Sequence, residues 1–205
     1  MPRIRNLTPW ICIFVLFACT HTRVRIDRTE TGPEKATSTQ PPAERSPPEK
    51  VVTLKPSGGK TYAETISEWK SHQDLVKWME EDFSLDTGRY KKYEGTLPAP
   101  RTPEETFQLR SGIYVDVAFF IKETLNRINP SYSARVVILL TRPNRFNHYV
   151  CSFKKGGSLF ILDYGTPYKE VTGIHGPYRS LEEYRKFYEK SHPVKRRVEA
   201  ISYLR

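Results

Sequence analysis

The side chains of this sequence best suited to proton transfer are an imidazole and a carboxylate on neighbouring candidate strands. His148 stands in Asn147-His148-Tyr149-Val150, and Asp163 opens Asp163-Tyr164-Gly165-Thr166-Pro167 about fifteen residues later. A hairpin brings such positions side by side, so that the carboxylate holds one ring nitrogen while the other faces a reacting group. Taken singly, each has a plainer reading: a surface or core histidine, and an aspartate that starts a turn. A third stretch, Gly112-Ile113-Tyr114-Val115-Asp116-Val117-Ala118, puts a phenol at the head of a helix. With a pKa near 10, a phenol is a poor nucleophile at neutral pH.

The other candidates for the attack have plainer readings. Cys151 lies an odd number of residues from His148 on the same strand, so their side chains point to opposite faces, and it reads as a small buried hydrophobe. Ser111 reads as a helix cap. The histidines, His21, His72, His148, His175 and His192, show no paired ligand spacing, so no metal or other cofactor is expected. Gly156-Gly157 reads as a turn, not a phosphate loop.

These groups need elements to position them. Thr61 to about Phe83 has apolar residues at helical spacing and reads as one amphipathic helix. Ser84 to Arg110 has many breakers and reads as a wrapping loop with a short helical turn at Thr102 to Leu109. A second helix is expected from Ser111 to about Ile128, stopped by Asn129-Pro130. Strands follow at Ala134–Thr141, Asn147–Phe153 and Ser158–Asp163, then a helix from Ser180 to about Lys190 and a last strand from Val194 to Tyr203. The order predicts an α+β domain with a mostly antiparallel sheet and flanking helices over residues 60–205.

A helix bearing the first motif, followed by strands bearing the second and third, resembles the transglutaminase-like superfamily, whose fold is related to papain-like cysteine proteases. The resemblance covers about residues 105–170. It implies that Tyr114 occupies the place of the family's nucleophilic cysteine, with Gly112, Asp116 and Ala118 matching around it. His148 then matches the base and Asp163 the carboxylate that orients it. Gln108, six residues before Tyr114, is at the interval of the papain-like oxyanion-hole glutamine, here a relic. In the family, helix dipole and imidazolium lower the thiol's pKa.

The chain begins with Arg3, Arg5 and an apolar run of about nine residues, Trp10 to Ala18, short of the roughly twenty that span a bilayer. Leu16-Phe17-Ala18-Cys19 resembles the bacterial lipobox, which implies a signal peptide over residues 1–19, acylation of Cys19 (palmitate being a typical acyl group) and anchoring in membrane lipid. Thr20 after the cysteine implies export to the outer membrane, facing the periplasm. Residues 20–59, rich in Pro, Thr, Ser and charge, read as a disordered tether. A flexible coil of that length reaches roughly 35 Å.

The formal net charge is +10, but an exported lipoprotein rarely meets nucleic acid, and its basic residues are spread along the chain. The charge reads first as a solvated surface, and second as weak attraction to anionic lipid headgroups or cell-wall polymers. The expected partners are membrane lipid through Cys19 and cell-wall or envelope protein or peptide, with no nucleic acid. The leading expectation is a non-catalytic binding or scaffolding pseudoenzyme. The rival is an active amidase, peptidase or acyl transferase using an unrecognised nucleophile. A third is a domain whose cleft has closed, in which case the His148 ring is unreachable by solvent.

Overall fold

The computed structural model describes residues 59–93, 96, 98–143 and 146–205. The expected signal peptide, Cys19 and all but the last residue of the expected tether lie outside them.

The helical layer is assembled from short, well-capped pieces. Helices α1 (Tyr62–Glu68), α2 (His72–Glu81) and α4 (Pro103–Leu109) each begin with a reciprocal cap, Thr61 with Glu64, Ser71 with Asp74 and Thr102 with Glu105. Each cap satisfies backbone N–H groups that a helix start otherwise leaves unpaired. The single helix expected from Thr61 to Phe83 is therefore two: Trp69 is extended, and Ser71 starts a new helix although the apolar spacing continues. The expected loop from Ser84 contains strand β1 (Ser84–Leu85) and helix α3 (Thr87–Lys92), capped by Asp86.

Ser111 is not a cap. It pairs with Ser84 in strand β2 (Ser111–Gly112), parallel to β1, and helix α5 (Tyr114–Ile128) begins only after Ile113. Ile113 has no side-chain acceptor, so the cap works in one direction, with Ile113 N donating to Asp116 Oδ2 at 3.1 Å. A short 3-10 turn, Pro130–Tyr132, follows where Asn129-Pro130 stops the helix.

Strands β3 (Arg135–Arg142), β4 (Phe146–Lys155), β5 (Ser158–Asp163), β6 (Gly173–Tyr178) and β7 (Arg197–Tyr203) form one antiparallel sheet in the order β6-β5-β4-β3-β7. Strand β6 falls where the sequence pattern predicts no strand, since its two glycines and a proline carry little strand signal. The hairpin at Gly156-Gly157 is as expected, both glycines having positive φ.

Alternation along the strands divides the core in two. Tyr149, Cys151, Phe153 and Leu162 face α5, while Val137, Leu139, Val150, Leu159 and Ile161 face helix α6 (Leu181–Ser191), where Tyr184 and Tyr188 are buried. Each fully buried side chain of this size contributes about 1.5–3 kcal/mol. The expected α+β architecture is the one observed.

Candidate functional site

The site is built where the head of α5 meets the ends of β4 and β5. His148 shares a sheet face with Val150, and Asp163 shares it with Ile161. His148 Nε2 lies 2.6 Å from Asp163 Oδ2. The predicted pairing of imidazole and carboxylate is therefore in place. Both are enclosed, at 2 % and 1 % exposure.

Their cover comes from α6. The Tyr188 ring stacks on His148 at 5.7 Å between centroids, with 27° between the planes. Tyr184 is wholly buried, and burial first, then the nearby Asp163 carboxylate, raises its phenol well above the ordinary value. Asp163 Oδ1 and the Tyr184 hydroxyl make no hydrogen bond of normal length among the described residues. Tyr184, Tyr188 and His192 recur every four residues, a helical stripe that sequence reasoning missed as part of the site.

Tyr114 arrives from the other side of the sheet. Its ring is stacked on Tyr149 (5.9 Å, 19°), edge-on to Tyr90 (6.2 Å, 87°), and 6.3 Å from the His148 ring. Its hydroxyl donates to the Thr96 carbonyl oxygen at 2.9 Å, and the residue is 2 % exposed. Burial, then the neighbouring Tyr90 and Tyr149, pushes the phenol up to about 12. At pH 7 only about one molecule in 10⁵ then carries a phenolate. The ring is held as a core side chain, with neither an ionised oxygen nor free space beside it.

What forces Tyr114 against the pair is Gly165. A Cβ at this position would lie 2.2 Å from the Tyr114 Cα and 2.7 Å from its N, so the backbone following Asp163 presses directly on the head of α5. Asp116 supports the same helix head from behind. It accepts from Arg89 Nε (3.0 Å), Arg101 N (2.8 Å) and Ile113 N, with its carboxylate fully buried.

Gln108 is not brought to this site. It lies on the exposed side of α4, whereas Thr106 is the buried residue of that helix, packed beside Gly112. Cys151 faces α5, away from His148 as expected, and burial raises its thiol pKa far above the ordinary range. Among the described residues no cluster of three or more ligating side chains is arranged for a metal.

His192, at the C-terminal end of α6, lies between the tilted rings of Tyr168 (4.5 Å) and Tyr188 (5.1 Å) and accepts from Val194 N at Nδ1. Burial, then Arg196 and His148, lowers its pKa to about 4 against the opposing pull of Asp163 and Glu170. The unfolded chain takes up this proton near pH 6.5, the folded one only near 4. The stability due to His192 is thus complete above pH 6.5 and drains away as pH falls toward 4. His192→Asn, whose Oδ1 can replace the Nδ1 acceptor, is expected to flatten that decline in urea unfolding measured between pH 7 and 4.5. An unchanged slope in the variant would assign the acid sensitivity elsewhere.

A buried helix whose head abuts a His–Asp pair on adjacent antiparallel strands sets the architecture of this α+β domain. The family model described as "Transglutaminase-like domain" matches residues 60–188, and the chain belongs to that family. No curated protein matches the chain.

Proposed function

We propose that this protein is a non-catalytic member of the transglutaminase-like family, a binding or scaffolding domain held at the envelope membrane by acylated Cys19. The observation that carries it is Tyr114. The resemblance puts the family's thiol at this place, and here a ring occupies the space with its hydroxyl tied to Thr96 O. His148 and Asp163 keep the geometry of a base and its orienter, but the family's thiol position beside them carries a buried phenol. Their burial beneath Tyr188 favours a packing role for the pair and a closed cleft. Anchoring through Cys19 rests on the lipobox resemblance; no helix among the described residues is long and apolar enough to cross a membrane.

The purified protein is expected to release no amine or ammonia from glutamine-containing or cell-wall peptides, with His148→Ala making no difference. Turnover in the wild type that His148→Ala abolishes would refute the proposal and favour an active amidase or acyl transferase. Tyr114→Cys gives a second readout. Its thiol at the N-terminus of a fifteen-residue helix beside an imidazole should react with iodoacetamide at a midpoint below the ordinary pH of about 8.5. The loss of the ring should lower stability by about 3–5 kcal/mol. Cys151 should stay unlabelled in both proteins.

A further inference from the structure

If the family cleft is closed, a binding role needs another surface, and the described residues contain one. Beyond the N-terminal end of α6, the α6 face of the sheet is left uncovered and forms a groove of about 580 Å³. A second cavity of about 250 Å³ continues it and shares Lys154, Leu159 and Tyr203 as lining. The floor is apolar, made by Leu159, Ile201 and Tyr203, and the rim carries Lys154, Arg179 and Arg135.

The three cations are exposed, and among the described residues no carboxylate forms an ion pair with their charged ends, although the Arg179 backbone N–H donates to Glu183 Oε2 at 2.8 Å. The Arg135 guanidinium carbon lies 3.7 Å from the Tyr203 ring centroid, so the cation is held over the aromatic and its N–H groups can donate to a carboxylate. Glu182 is the one acidic lining residue, and its carboxylate is engaged by Arg185 at 3.4 Å. A lone phosphate would use the charges and leave the floor bare. A ligand with carboxylates spaced along an extended, partly apolar backbone uses both.

We propose that this groove binds an acidic peptide segment in extended conformation, with aliphatic side chains on the Leu159–Ile201–Tyr203 floor and carboxylates on Arg135, Lys154 and Arg179. This adds a site and a partner to the scaffolding role above. The two fail separately, because the groove shares no residue with α5 or the His148–Asp163 pair.

The test is fluorescence anisotropy with the full chain and a labelled, amidated hexapeptide alternating glutamate and leucine. The expected result is saturable binding that weakens with added salt, at least tenfold weaker for the glutamine counterpart and at least tenfold weaker in Lys154→Gln/Arg179→Gln. Both residues are exposed, so the fold should be unaffected, with melting temperature as the check. Lys190→Gln/Arg197→Gln removes the same charge at the far ends of α6 and β7 and should bind within twofold of wild type. An equal loss in that control, equal affinity for the glutamine peptide, or no binding by the wild type would overturn the proposal. So would groove-dependent binding to phosphatidylglycerol vesicles without binding to the peptide, which would reassign the groove to lipid headgroups.

Discussion

Gly165→Ala is expected to unfold much of the protein at temperatures the wild type tolerates. The added methyl would sit 2.2 Å from one backbone atom of Tyr114 and 2.7 Å from another, and backbone at the head of a buried helix cannot turn aside as a flexible side chain can. Overpacking in a core usually costs about 1–3 kcal/mol. With the obstruction in the main chain, the loss should reach at least about 3 kcal/mol, or roughly 10 °C in melting temperature for a domain of this size. Gly157→Ala is the control. Its φ of +81° disfavours a side chain, yet nothing lies within 4 Å of its Cβ position, so the penalty should stay near 1 kcal/mol. Equal melting temperatures for the two variants would show that the 163–166 segment does not press on α5.

Asp116→Ala should be comparably damaging for an electrostatic reason. The carboxylate is buried with Arg89, whose side chain is 8 % exposed, and it also caps α5 and holds the Arg101 backbone N–H. Removing one member of a buried ion pair leaves the other charged and poorly solvated, which costs about 3–5 kcal/mol. Urea unfolding should show that loss, and Arg89→Met in the same background should recover part of it by removing the stranded cation. A loss under about 1 kcal/mol in the single variant would mean that water reaches Arg89 and that the helix head stands without the carboxylate.

The legible parts of this sequence were those with a local signature. Pro130 after Asn129, the Gly156-Gly157 turn and the β-branched run of β3 place their elements to within a residue or two. His148 and Asp163 could be paired because a hairpin register is regular. What escaped depends on contacts between distant segments. Ser111 has the chemistry of a cap, but pairing with Ser84 claims it, and the capping task falls to Asp116, which doubles as an anchor for Arg89. The break at Trp69 is invisible to hydrophobic spacing, and only the Ser71–Asp74 pairing marks it. The cover over His148 comes from Tyr188, forty residues downstream and across a sheet edge, although its stripe with Tyr184 and His192 was readable as one face of a helix.

The sealed His148 ring bears on how this lineage could change again. Tyrosine and cysteine codons differ by a single nucleotide, so a sulfur could be placed at position 114 in one mutational step. That step alone would supply a reactive thiol but leave Tyr188 stacked on the imidazole, so the base would still be covered on its α6 side. On the reading proposed above, the present state is an evolutionary one-way valve: easily entered at one codon, and left only by rebuilding a helix.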